Sequence, residues 1–304
     1  MFDKLPEKVR TFIELDVREY GAGKTLHDYI AQMQAEYFPH LVPQYKEHEP
    51  LWTQGQCEAD ATAGLIEGFP LLHRGFSTRI LEDSPMDLAY SASLYARLQL
   101  WRGTRDETGS FLNFSNDMLR ALAAGDVFVI QRFSEVVPSF ANTGPRAERL
   151  LHAGITAAIS HDDTRLARAI SEYDAWDKPK AYISCVYTSF RGLLAKDDTL
   201  VVEGLQSLLK TSRKINQLYE IFTTISLETH GMYELCRWYD RNLVAMFDTN
   251  QELPWDQGLY DWLRENDGKP PFYDVTSLSP ELQEWLEKLP IKDRLGHDWP
   301  NRGN

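Results

Sequence analysis

Apolar side chains through the middle of the chain recur at intervals of three and four residues, which is the period of an α-helix that buries one face. The clearest stripe consists of Met86, Tyr90, Leu94, Leu98 and Trp101, and it ends at Gly103. Comparable stripes follow between residues 111 and 247. The two-residue alternation that a half-buried strand requires is hard to find. The pattern therefore predicts an all-α fold.

The breaks between the stripes recur about every 35 residues, a period typical of stacked helical hairpins. They lie at Ala124-Gly125-Asp126, His161-Asp162-Asp163-Thr164 and Lys196-Asp197-Asp198-Thr199. An acidic side chain at each break would cap the helix that follows, because it accepts backbone N–H bonds at the positive end of the helix dipole. We predict an irregular, repeat-like array of antiparallel helix pairs, with turns at Gly125, Asp162 and Asp197.

The chain has 304 residues, of which 43% are hydrophobic and 12% aromatic, enough to build a substantial core. We predict an N-terminal helical segment over residues 1–85 and the array of helix pairs over residues 86–250. The segment over residues 251–304 is rich in proline and aromatic residues. The three segments are expected to pack as one globular unit.

The formal net charge of −13 disfavours a nucleic-acid binder or a protein of anionic membrane surfaces, which carry basic patches. A basic protein partner is a better match for this acidic net charge. No apolar run approaches the roughly 18 residues that a membrane span needs. The first ten residues lack the apolar core of a secretory signal, and the three cysteines form no disulfide framework. We expect a cytoplasmic protein.

The candidates for catalysis all have simpler structural explanations. Glu228, His230 and Glu234 could form an acid–base pair or a metal site, but no second histidine follows at the spacing of a zinc helix. Cys185 and Cys236 lie among apolar helical residues, where cysteine usually behaves as a small core side chain. We predict no catalytic residue and no metal, and hence no enzyme. An enzyme with dispersed carboxylates remains an alternative.

The stretch Gly21-Ala22-Gly23-Lys24-Thr25 is similar to the end of a phosphate-binding loop. That motif requires an earlier glycine where this chain has Arg18, and a buried strand leading into it. A glycine helix stop followed by a Thr25 cap explains the stretch better. No cofactor is therefore predicted.

Several short motifs resemble bacterial immunity proteins of the family numbered 49. The resemblance covers roughly residues 86–265. It is carried by Thr143-Gly144-Pro145-Arg146, His161-Asp162, the helix from Met232 to Phe247, Pro254-Trp255 and Tyr260-Asp261-Trp262-Leu263. It implies a cytoplasmic, mostly helical protein that neutralises a cognate toxin delivered by a competing cell. No toxin-contact residue is carried over from it.

Aromatic residues flanked by acids in the C-terminal segment have the composition of binding anchors. We predict that the toxin contacts the surface containing Asp256, Asp261, Trp262 and Glu265, with the acidic turn Asp197-Asp198 nearby. The competing interpretation is that Trp262 belongs to the core and the acids merely solvate the surface. A helical-repeat scaffold for an endogenous partner is the alternative function.

Overall fold

The computed structural model describes residues 2–20, 28, 68–103, 114–127, 130, 146–215 and 220–266. These residues form ten α-helices and three short 3-10 helices and contain no strand, which confirms the predicted all-α fold. The α-helices are α1 (Glu7–Tyr20), α2 (Gly68–Glu82), α3 (Pro85–Gly103), α4 (Phe114–Ala123), α5 (Arg146–Ile159), α6 (Asp163–Asp174), α7 (Ala181–Ala195), α8 (Asp198–Ile215), α9 (Leu227–Tyr239) and α10 (Gln257–Glu265). The Gly21–Thr25 stretch lies outside the described residues.

The three predicted turns share one backbone motif. At each turn the residue before the aspartate has a positive φ: 75° at Gly125, 51° at His161 and 55° at Lys196. The N–H groups of this residue and of the aspartate bond back to carbonyls three and five residues earlier. This is the Schellman closure of a helix end. The repeat in the sequence is therefore a repeated way of ending a helix.

Asp162 and Asp197 cap the helices that follow them, as predicted. Asp162 accepts the backbone N–H of Arg165 at 2.9 Å, and Asp197 accepts that of Leu200 at 3.2 Å. The Asp126 carboxylate accepts the hydroxyl of Ser93 on α3 at 2.6 Å, and most of the segment that Asp126 would cap lies outside the described residues.

The helices pack in pairs along the chain, α2 with α3, α5 with α6 and α7 with α8. They enclose two apolar clusters. The first cluster lies among α4 to α9 and includes Trp255. The second contains Ile13, Leu88 and Leu259, and so draws on all three predicted segments.

Helix α9 lies against α4, α5 and α8, and every residue from Leu227 to Cys236 is buried. A close contact with α4 requires a glycine, since a Cβ atom at Gly231 would lie 2.0 Å from the carbonyl oxygen of Leu119. Neighbouring helices bury α9. Within the described ranges, no helix has the length and apolar character needed to cross a membrane.

Candidate partner-binding site

Glu228, the first catalytic candidate on α9, belongs to a buried ion-pair network with α4. One Glu228 oxygen lies 3.6 Å from Nη2 of Arg120, and Arg120 donates a 2.9 Å hydrogen bond to Asp117. Burial raises the pKa of Asp117 to about 7, against the opposing effect of Arg120. The network joins α4 to α9 inside the protein, where a substrate has no access.

His230 holds the beginning of α10. Its Nε2 accepts the backbone N–H of Asp256 at 3.1 Å, and its ring stacks on Trp255 with 3.9 Å between ring centroids. Burial lowers the pKa of His230 to about 4, so the imidazole is neutral at pH 7. A neutral ring supplies the acceptor nitrogen that this hydrogen bond needs.

Glu234 binds two arginines on its own side of α9. It accepts a hydrogen bond from Arg264 of α10, and its second oxygen lies 3.6 Å from Arg237. The contacts described here join Glu228 to Arg120, His230 to the backbone of Asp256, and Glu234 to Arg264 and Arg237. Among the described residues, no group of three histidine, cysteine or acidic side chains could hold a metal ion.

Both described cysteines lie in the core, as predicted. Cys236 is fully buried and Cys185 is 9% exposed. Burial raises the pKa of each thiol. Neither sulfur is a thiolate at neutral pH, and a thiol without that charge is a poor nucleophile.

Asp256 does not lie on the surface where the sequence analysis placed it. Its carboxylate is fully buried and receives two 2.7 Å hydrogen bonds from the guanidinium of Arg79 on α2. It also caps α10 by accepting the N–H of Gly258 at 3.1 Å. Burial opposes the Arg79 charge, but the Asp256 and Asp83 carboxylates together outweigh that effect and raise the pKa of Arg79. Asp256 is buried because it is both a helix cap and a counterion.

The other predicted residues of this segment lie on α10 and are accessible. Leu259 and Leu263 face the core, whereas Asp261 and Glu265 are exposed. Trp262 is half-buried, with its ring edge against Tyr90 at 6.1 Å between centroids. We name Asp261, Trp262 and Glu265 the α10 face.

The acidic turn Asp197-Asp198 lies beside the end of α9, where the ammonium of the preceding Lys196 sits 4.1 Å from the ring centroid of Tyr239. The beginning of α10 and Arg264 instead contact α9 nearer its N-terminus, at His230 and Glu234. The contacts thus attach the turn and the α10 face to different parts of α9. Asp197 and Asp198 are both partly exposed.

An aromatic cluster at the end of α9 was missed by the sequence analysis. Tyr239 stacks on His161 at 5.2 Å between centroids, and its hydroxyl donates to Asp163. Trp238 is 41% exposed, and its indole N–H donates to the Ile159 carbonyl at 3.2 Å. The positive-φ residues of two turns, His161 and Lys196, therefore meet on one tyrosine. The sequence shows the repeated turn, but it does not show that two of these turns contact the same tyrosine.

Comparison with known proteins yields no match to a family model, a curated protein or a solved structure. The resemblance to immunity proteins therefore stays a prediction.

Proposed function

We propose that the protein binds a cognate bacterial toxin and neutralises it by covering the toxin's active site, with no chemistry of its own. The proposal is supported above all by the α10 face. Asp261 and Glu265 are exposed on adjacent turns of a nine-residue helix, beside the half-buried Trp262.

This pair of acids works against the stability of its own helix. Like charges four residues apart destabilise a helix by about 0.2–0.5 kcal/mol. Glu265 is the last helical residue, where the dipole favours a cation. Gln257 donates a 2.8 Å hydrogen bond to Asp261, which offsets part of that cost. The charge of a basic partner would offset this cost, which supports the proposal that the α10 face binds such a partner.

Charge and apolar contact would contribute differently to the complex. Exposed acids steer a basic partner and raise the association rate, whereas a buried aromatic anchor mainly slows dissociation. Trp262 supplies such an anchor next to the acids. Each buried ionisable group of α9 connects two parts of the protein. These structural contacts favour a binding protein over an enzyme. The turn Asp197-Asp198 would provide a second acidic contact.

The experiment is coexpression of this protein with the toxin encoded by a neighbouring reading frame, followed by binding kinetics with the purified pair. The wild-type chain should restore growth. The double variant Asp261→Lys, Glu265→Lys should associate about tenfold more slowly at low salt, with a weaker salt dependence. Trp262→Ala should mainly raise the dissociation rate.

The matched control is the double variant Glu82→Lys, Glu203→Lys, which reverses two exposed acids on α2 and α8. It makes the same change in net charge away from the α10 face, so it should retain most of the association rate. Equal slowing by both double variants would assign the effect to net charge and reject the α10 face. Binding without rescue of growth would favour the scaffold function.

A further inference from the structure

The accessible side of α3 is apolar, although the solvent side of a surface helix is ordinarily polar. Within residues 88–96 every residue is buried except Tyr90 and Leu94, and Met86 is 43% exposed one turn before Tyr90. These three residues recur every four positions, so they share one side of the helix. They belong to the stripe that the sequence analysis expected in the core, but the other side of α3 is the buried one. We name Met86, Tyr90 and Leu94 the α3 stripe.

The α3 stripe is continuous with the α10 face, because α10 packs along α3. The rings of Tyr90 and Trp262 meet edge to face, with 6.1 Å between their centroids. The exposed acids Asp261 and Glu265 lie on the same helix as Trp262. The stripe and Trp262 therefore form one apolar surface with negative charge on its α10 side. An apolar surface with a charged border is typical of a protein-binding site.

The form of this surface favours a helical partner segment over an extended one. The described residues contain no strand, so they offer no sheet edge with which an extended segment could pair. Met86 and Leu94 are two turns apart on α3, about 12 Å along the helix axis. Apolar residues at intervals of three and four positions on a second helix would cover a stripe of this length.

We propose, on the basis of the toxin binding proposed above, that the α3 stripe and the α10 face together bind an amphipathic helix of the toxin. The apolar side of that helix covers the stripe and Trp262. Its basic side lies along Asp261 and Glu265, which complement it in charge. Apolar contact slows dissociation and charge raises the association rate, so each part of the surface has its own kinetic effect.

The test uses the full chain and the purified toxin encoded by the neighbouring reading frame. Hydrogen exchange of the toxin, alone and in the complex, should show its strongest protection in a helical segment that carries lysine or arginine. Met86→Lys should raise the dissociation rate about tenfold, because it removes an apolar contact and places a cation against a basic helix. Met86→Ala removes the contact without adding charge and should raise the rate less. Met86 is exposed, so neither variant puts folding at risk.

Met246→Lys is the matched control, since Met246 is a second exposed methionine, 68% accessible. It follows the 3-10 helix Arg241–Val244, which packs on α8 and α9, and the substitution makes the same change in charge. This variant should dissociate at the wild-type rate.

Two results would overturn the role of the α3 stripe while leaving the proposed toxin binding intact. One is a wild-type dissociation rate in Met86→Lys when Trp262→Ala dissociates faster. The other is toxin protection confined to a strand or a loop. Self-association of the free wild-type chain that is lost in Met86→Lys would assign the stripe to a second copy and also reject the proposal. A wild-type chain that does not bind the toxin would reject the proposed function, and the toxin helix with it.

Discussion

His230 shows how one buried side chain can couple folding to pH. Its ring lies between Trp255 and the backbone of Asp256, and burial lowers its pKa to about 4 from an ordinary value of 6.5. The unfolded chain therefore binds a proton in a range where the folded chain does not. Stability from this residue is complete above pH 6.5 and decreases as the pH falls towards 4.

His230→Gln should remove this pH dependence, because the glutamine can still accept the Asp256 N–H but does not titrate. Between pH 7.5 and pH 5, the wild-type free energy of unfolding should fall by about 2 kcal/mol more than that of the variant. Urea unfolding at both pH values measures the difference. Equal losses in the two proteins would show that His230 does not take up the proton.

At the scale of elements, the sequence predicted where helices end but not which distant residues contact those ends. The turns at Asp162 and Asp197 were foreseeable because a capping aspartate acts within three residues of its own position. The burial of Asp256 was not foreseeable, because its partner Arg79 lies 177 residues away along the chain. An aspartate before a helix has the same local pattern whether it meets solvent or a buried arginine.

The two aspartates of the Lys196 turn should therefore differ in their contributions to stability. Asp197 accepts the backbone N–H groups of Thr199 and Leu200, whereas the Asp198 carboxylate accepts a 3.3 Å hydrogen bond from the neighbouring Thr199 hydroxyl. Asp197→Ala should lower the free energy of unfolding by about 1 kcal/mol through loss of the cap. Asp198→Ala should cost less than half of that, as measured by urea denaturation.

This difference also separates stability from binding at the turn. Asp198 can be changed as a test of toxin contact without removing the cap, so Asp198→Lys is the cleaner probe of that predicted contact. A result in which Asp198→Ala is as costly as Asp197→Ala would mean that the helix dipole, not the cap, dominates this turn.

On the scale of the whole molecule, the beginning of α10 connects the two apolar clusters. Trp255 belongs to the first cluster, and Leu259 belongs to the second. Between them Asp256 binds Arg79, which lies on α2 among residues of the second cluster. The Arg79–Asp256 ion pair is thus placed where loss of one contact would disturb the packing of both clusters.

Arg79→Met should destabilise the protein by about 3–5 kcal/mol, because it leaves the buried Asp256 carboxylate without its counterion. The double variant Arg79→Met, Asp256→Asn removes that charge and keeps an acceptor that can cap α10. If the uncompensated charge is the main cost, the double variant should be more stable than Arg79→Met alone by at least about 1 kcal/mol. Arg168→Met, in an exposed pair with Glu172, should cost less than about 0.5 kcal/mol. Chemical denaturation followed by both circular dichroism and tryptophan fluorescence measures these differences. A double variant that is less stable than the single variant would place the cost in lost packing around Arg79 and not in the buried charge.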